Sequence, residues 1–183
     1  MGLADGAHRL LARRLGAEGL ILAIQIREER DGDQRAIREL LAAAFPGLQE
    51  ADLVDALRIG GDLAISLVAE EHGTVKGYVG FPQLMSPTRA LALAPVGVGP
   101  ECQNRGIGSL LVREGLESAR LNGWEIIFVV GEPGYYARFG FDLDAAKLFP
   151  CAYAGPYFMA LRLTDAIREP APVIYPAAFD DLR

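Results

Sequence analysis

The chain of 183 residues has few cysteines, no long apolar run and no excess of positive charge. Its two cysteines, Cys102 and Cys151, are too few for a disulfide framework, and we expect unpaired thiols in a cytoplasmic protein. No apolar run is long enough for a membrane-spanning helix, so no membrane association is expected. The net charge is −6 and basic residues do not cluster, which argues against a nucleic acid partner and mildly favours a cationic substrate.

Several familiar nucleotide and nucleophile signatures are also missing. The dinucleotide fingerprint G-x-G-x-x-G and the Walker sequence G-x-x-x-x-G-K-[ST] do not occur. Histidine is represented only by His8 and His72, and the sequence places neither of them to activate Cys102 as a nucleophile. Cys102 does lie beside the loop described below, a position that would make its thiol accessible. No metal site is expected.

What the sequence does have is an alternation of strand and helix patterns, typical of one mixed α/β domain. Strands are expected at about residues 24–29, 64–70, 75–81, 90–98, 125–130 and 157–163. Helices are expected from an N-cap at Asp31 or Asp33 to Phe45, and at 51–59, 109–121 and 135–139. The longest helix has a predicted buried stripe of Leu111, Val112, Gly115, Leu116 and Ala119, in which Gly115 would permit close approach to the sheet.

The strongest local signal is the loop at residues 103–108, between the predicted strand 90–98 and the predicted helix 109–121. Backbone N–H groups at the start of a helix have no partner within the helix, and the helix dipole adds partial positive charge there. Gly106 and Gly108 lack the side chains that would keep a phosphate away. The loop is therefore predicted to hold a diphosphate.

Two sequence segments together carry a resemblance to a known family. Residues 96–108, V-G-V-G-P-E-C-Q-N-R-G-I-G, resemble the coenzyme A loop of the GNAT N-acetyltransferases, whose pattern is Q/R-x-x-G-x-G/A after a strand. Residues 131–141, G-E-P-G-Y-Y-A-R-F-G-F, resemble the segment after the next strand in the YhbS-like branch of that superfamily. The resemblance covers about residues 24–163, with a looser similarity at 173–179.

The resemblance implies a mixed α+β fold with a central, mostly antiparallel sheet flanked by helices, whose fourth and fifth strands splay apart to admit the coenzyme. It implies acetyl-CoA as cosubstrate and Tyr136 as the general acid that protonates the departing thiolate. The implied coenzyme-binding residues are Val96, Gly97, Val98, Gln103, Asn104, Arg105, Gly106, Ile107, Gly108 and Ser109.

Several of these residues also have a purely structural interpretation. Gly97 in a strand also fits a β-bulge, which would be compatible with backbone contacts to the pantetheine arm. Arg105 is either a counter-charge for the diphosphate or a solvated side chain. The aromatic cluster around Tyr135 and Tyr136 is also typical of a core. Within it, Tyr136 is preferred as the acid because it occupies the first position of the family's Y-x-x-x-G-F motif.

The implied reaction is transfer of an acetyl group from acetyl-CoA to a primary amine of a small molecule or peptide, by direct attack in a ternary complex. Two alternatives remain open: a non-catalytic acyl-CoA-binding sensor module, and a protein N-acetyltransferase. The general base is also open, because the strand at 91–96 carries no carboxylate. Its candidates are a water chain or one of Glu70, Glu71, Glu101 and Glu132.

The expected organisation is an N-terminal extension at 1–23, the acetyltransferase domain at 24–165 and a C-terminal tail at 166–183. The tail has apolar side chains among prolines, so we expect it to pack on the domain or on a second copy in a homodimer. The acceptor pocket is expected between the first two helices and the loop at 145–156, which carries Lys147, Cys151 and Tyr153.

Overall fold

A computed structural model describes residues 24–165 and 170–182, so the predicted extension at 1–23 lies outside the described residues. The strands are β1 (Gln25–Glu28), β2 (Leu63–Glu71), β3 (Thr74–Pro82), β4 (Ala90–Ala92), β5 (Val96–Val98), β6 (Ile126–Val130) and β7 (Phe158–Arg162). The α-helices are α1 (Gln34–Ala44), α2 (Gln49–Gly60), α3 (Ile107–Leu121), α4 (Pro133–Tyr136) and α5 (Leu143–Ala146). Short 3-10 turns occur at Pro100–Cys102, Ala137–Phe139 and Ala177–Leu182.

The strands form a mixed, mostly antiparallel sheet, as the resemblance implied. One half has the order β1-β2-β3-β5 and the other the order β4-β6-β7. Of the strand pairs in these two halves, β4–β6 is parallel and the others are antiparallel. The halves are joined where the end of β3 meets β4, through the antiparallel bridge of Gln83 and Leu91.

The prediction of one continuous strand at 90–98 was wrong. Ala94 donates its N–H to the carbonyl of Gly80 while Pro95 accepts from the N–H of Gly80, each at 3.0 Å. Ala94 and Pro95 therefore both lie opposite Gly80, which is a β-bulge. The chain changes its strand partner at this point. Before the bulge β4 pairs with β6, and after it β5 pairs with β3.

The change of partner opens the sheet, which confirms the predicted splay. The last bond between the two strands runs from the N–H of Leu93 to the carbonyl of Phe128, at 2.8 Å. Beyond it β6 continues against β7 to Val130, while β5 follows β3. The result is a wedge between residues 95–98 and 129–132.

Helix α3 packs across the sheet through the predicted stripe. Its buried residues are Ile107, Leu111, Val112, Gly115, Leu116 and Ala119. A Cβ at Gly115 would lie 2.1 Å from the ring of Phe81, so any side chain there would push the helix off the sheet. The close approach expected at Gly115 is thus confirmed. It fixes the position of the helix start next to the wedge.

Helix α1 begins after Asp33, but the carboxylate of Asp33 does not cap it. It accepts instead from the backbone N–H of Arg30 at 2.7 Å and pairs with Arg27 at 2.6 Å. The guanidinium of Arg27 holds the pKa of Asp33 below its usual value. Asp33 therefore ties the start of α1 to β1.

The C-terminal tail packs on the domain. Ile174 forms an antiparallel bridge with Ser86, and Val173 forms a parallel bridge with Cys151. Val173 and Phe179 are both buried. A second copy in a homodimer and the division into three segments stay predictions. No helix within 24–165 and 170–182 has the length and apolar character needed to cross a membrane.

Candidate active site

The loop before α3 presents a row of free backbone donors. Within the described part of the chain, none of the N–H groups of residues 103–109 donates a hydrogen bond. Asn104 and Gly106 have positive φ angles of 60° and 81°, which turn the chain sharply into the helix. Unpaired N–H groups that converge at a helix start are a site for an anion. The arrangement fits the diphosphate predicted from the sequence.

Two polar side chains of the loop, those of Gln103 and Arg105, are engaged by the protein itself. Gln103 donates through Nε2 to the carbonyl of Val98 at 3.3 Å and so braces the end of β5. Arg105 pairs with Glu71 at 2.6 Å, and this pairing lowers the pKa of the Glu71 carboxyl. The guanidinium of Arg105 is therefore partly neutralised, while the backbone N–H groups of the loop remain free donors.

Two hydrogen bonds fix the orientation of β5. Gly99 donates to the carbonyl of Lys76 at 3.0 Å, and Gly80 donates to the carbonyl of Pro95 at 3.0 Å. Bonded and non-bonded pairs alternate along an antiparallel ladder. Gly97, midway between these bonds, must therefore direct its N–H and C=O toward β3.

The free edge of β5 belongs to its other two residues. Val96 and Val98 direct their backbone groups away from β3, toward the wedge. Gly97 does not offer the free backbone groups expected of it. Its missing side chain serves packing instead, because a Cβ there would lie 2.8 Å from Leu41 of α1.

Tyr136 lies at the end of α4, on the β6 side of the wedge. Its side chain is 9% exposed, and its ring packs against Phe139 and Phe141. Its hydroxyl has no hydrogen-bond partner among the described residues, and the residue lines a cavity of about 550 Å³. Burial, together with the neighbouring Tyr135, raises the pKa of Tyr136 to about 12. The phenol is therefore a protonated donor at neutral pH.

Tyr135 has a different position, although it is adjacent in sequence. It does not line that cavity, and its hydroxyl lies 3.1 Å from where a Cβ of Gly108 would be. The guanidinium of Arg138 lies 4.8 Å from the centroid of the Tyr135 ring in a cation–π contact. The two tyrosines thus face different parts of the wedge.

The cavity beside Tyr136 is bounded by strands, helices and the tail. Its walls come from β4 to β6, from the turn between α1 and α2, from the loop after α5 and from the tail. Among the residues that line it are Phe45, Gln49, Glu50, Leu53, Phe128, Tyr136, Tyr153, Tyr175 and Phe179. A cavity of this size with mostly apolar walls suits a small organic ligand.

The residues that line this cavity could be predicted from the sequence only in part. Tyr153 lines it as expected, whereas Lys147 lines a different cavity and pairs with Asp144 at 2.6 Å. Cys151 is not among the lining residues of either cavity. The contributions of Tyr175 and Phe179 were missed, although their apolar character among prolines had indicated that the tail packs.

None of the four carboxylates proposed as base lines the cavity. Glu70 pairs with Arg27 at 2.7 Å, Glu71 pairs with Arg105, and Glu101 lies 3.4 Å from Lys76. Glu132 is exposed to solvent at the start of α4. The carboxylate that does line the cavity is Glu50, in the first turn of α2.

The cysteines take no part in this site. Both are free thiols, as expected. Cys102 is only 3% exposed, so the expectation that it is accessible was wrong. It is buried because the 3-10 turn at Pro100–Cys102 folds it under the loop, against the core that includes Ile107. Within 24–165 and 170–182, no group of His, Cys, Asp or Glu side chains could hold a metal ion.

A sheet that opens beside a helix start with free N–H groups, with a buried phenol across the opening, is the arrangement that the resemblance to acyltransferases implied. The model of the acetyltransferase (GNAT) family matches residues 34–141. The chain belongs to this family.

Individual relatives agree with this assignment. The uncharacterised N-acetyltransferase YhbS of Escherichia coli is 36% identical over 146 residues, which span 76% of this chain and 87% of that protein. The uncharacterised N-acetyltransferase YjhQ of Escherichia coli is 37% identical over 137 residues, 68% of this chain and 71% of that protein.

Two solved structures combine a similar fold with sequence identity above the level expected of fold alone. YhbS from Escherichia coli in complex with CoA has a TM-score of 0.82 at 32% identity, covering 90% of this chain and 96% of that chain. A GNAT family acetyltransferase from Brucella melitensis in complex with acetyl-CoA has a TM-score of 0.74 at 35% identity. The match covers 87% of this chain and 99% of that chain.

Proposed function

We propose that the protein transfers an acetyl group from acetyl-CoA to a primary amine, by direct attack within a ternary complex. The observation that carries the proposal is Tyr136, whose hydroxyl is unpaired among the described residues and which lines a cavity at the point where β5 and β6 separate. The bound CoA and acetyl-CoA in two similar structures support the choice of cosubstrate.

The loop at 103–109 is the proposed diphosphate site. Its free N–H groups and the positive end of α3 supply donors and partial charge without any rearrangement of side chains. Nothing lies within 4 Å of where a Cβ of Gly106 would be, which leaves the approach open at that residue, whereas the Tyr135 hydroxyl lies beside Gly108. In this proposal Arg105 acts at longer range, because Glu71 already engages its guanidinium.

The free backbone edge of β5 is the proposed site for the pantetheine arm and the thioester. The N–H and C=O of Val96 and the N–H of Val98, which are directed into the wedge, can pair with amide groups of the arm. One of their N–H groups can also stabilise the oxyanion that develops when the amine attacks the acetyl carbonyl. This role fits a backbone donor, since it is rigidly held in the sheet.

Tyr136 is the proposed acid on the opposite side of the wedge. The nitrogen–carbon bond forms as the carbon–sulfur bond breaks, and the phenol gives its proton to the departing sulfur. The amine must lose a proton as well, to a nearby carboxylate or to water. Glu50 is the carboxylate available in the cavity.

Thermal unfolding with candidate ligands tests the coenzyme assignment. At a hundred times its Kd, a ligand stabilises the folded state by about 2.7 kcal/mol, which for a chain of this size is a rise of roughly 5 to 10 °C in Tm. We expect acetyl-CoA to give this rise and NAD and ATP to give much less. A larger rise with ATP or NAD than with acetyl-CoA would contradict the assignment.

A further inference from the structure

The cavity beside Tyr136 carries an unpaired acid and no basic side chain. Of the described residues that line it, Glu50 is the one carboxylate, and none is lysine, arginine or histidine. Glu50 forms no hydrogen bond or ion pair within the described part of the chain. Its neighbours on α2 differ, because Asp52 and Asp55 both pair with Arg38, at 2.7 and 2.6 Å. The cavity thus offers a ligand negative charge without positive charge.

Part of the cavity wall is aromatic. Tyr153 and Tyr175 meet edge to face with centroids 5.0 Å apart, and Tyr175 lies 4.8 Å from Phe179. Phe45 adds a further ring from the end of α1. Aromatic rings bury apolar groups well, and their faces attract cations. The wall therefore suits an apolar body attached to a positively charged nitrogen.

Building on the acetyl transfer proposed above, we infer that the acceptor is a primary amine on an apolar, ring-sized body that carries no carboxylate. Glu50 binds the amine nitrogen, and the aromatic wall holds the body. An amino acid would bring its own carboxylate into a cavity that has no cation to pair with it. A buried charge without a partner is costly, so the cavity selects against such acceptors.

A matched pair of acceptors tests this inference. 2-Phenylethylamine and phenylalanine share the ring and the amine and differ by one carboxylate. We expect kcat/KM to be at least about 100-fold higher for 2-phenylethylamine, since the unpaired carboxylate costs binding energy. Acetylation of phenylalanine at an equal or higher kcat/KM would overturn the inference.

A matched pair of variants tests the role of Glu50. Glu50→Gln keeps the shape of the side chain and removes its charge. We expect kcat/KM for 2-phenylethylamine to fall about 10-fold to 100-fold, with unchanged affinity for acetyl-CoA. Asp52→Asn removes a carboxylate from the same helix outside the cavity and should change kcat/KM little. Equal losses in the two variants would overturn the assignment of Glu50.

Calorimetric titration of 2-phenylethylamine into the protein without coenzyme separates this inference from the proposed function. Saturable binding that weakens in Glu50→Gln supports the amine site even if acetyl transfer is absent. Lack of binding by the wild-type protein, both with and without CoA, would overturn it. Failure to bind or consume acetyl-CoA would instead count against the proposed function alone.

Discussion

Replacement of Tyr136 by phenylalanine is expected to lower kcat by roughly a hundredfold to ten-thousandfold, the range for loss of a positioned general acid. The change removes one hydroxyl and little volume, and that hydroxyl has no partner among the described residues whose loss would destabilise the fold. Binding of acetyl-CoA should therefore stay nearly unchanged. The loss should appear in kcat more than in KM, because the interaction strengthens only as the thiolate forms. Steady-state kinetics with any accepted amine measures it.

Tyr135→Phe is the control for this variant. Tyr135 is adjacent in sequence but does not line the cavity, so its replacement should cost far less. Equal and small losses in the two variants would show that Tyr136 is a packing residue and that the acid is water or another group.

The pH dependence follows from the raised pKa of Tyr136. With a pKa of about 12 the phenol stays protonated well above neutral pH, and only its deprotonated form is unable to donate. The rate should therefore rise with pH as the amine loses its proton, without a fall due to Tyr136 below about pH 10.

Replacement of Gly106 by valine is expected to weaken acetyl-CoA binding by roughly a hundredfold or more and to abolish the rise in Tm. Gly106 has a φ of 81°, which is unfavourable for a β-branched residue. A shift to negative φ would turn the N–H groups of the loop away from one another. Loss of two hydrogen bonds to a charged group, at about 1.5 to 3 kcal/mol each, accounts for this reduction.

Gly61→Val is the matched control for Gly106→Val. Gly61 has a similar φ of 74°, and both positions have open space where a Cβ would be. Gly61 lies at the end of α2, away from the loop. Both variants should lose stability through backbone strain, but only Gly106→Val should lose the response to acetyl-CoA. Retention of the full response by Gly106→Val would remove the loop from the binding site.

The elements that place the loop could be predicted from the sequence because each depends on local chemistry. The buried stripe of α3 follows from helical spacing, and the strand–loop–helix order follows from an apolar run, two glycines and that helical spacing in succession. Gly115 could be predicted to lie where the helix contacts the sheet, because glycine destabilises a helix unless close packing requires it.

The interruption at Ala94 and Pro95 was not predicted, because it depends on partners distant in sequence. Residues 90–98 form a nearly continuous apolar run, and such a run does not indicate which strand each half will pair with. The bulge opposite Gly80 separates the halves. It also determines that Val96 and Val98, and not Gly97, direct backbone groups into the wedge.

Most of the residues on the acceptor side of the site could not be predicted from the sequence either. Glu50 sits in a helix with other acids, and only the fold shows that Asp52 and Asp55 are paired while Glu50 faces a cavity. Phe179 comes from the tail, more than a hundred residues from Glu50 in sequence. A cavity formed by segments that are distant in sequence produces no local sequence pattern from which it could be predicted.

A crystal structure of the protein with acetyl-CoA tests the central claim most directly. We expect the diphosphate to accept hydrogen bonds from N–H groups of residues 103–109 and the arm to pair with Val96 and Val98. The thioester sulfur should lie within about 4 Å of the Tyr136 hydroxyl, the reach of a proton donor. A coenzyme bound elsewhere, or a sulfur directed away from Tyr136, would contradict the account.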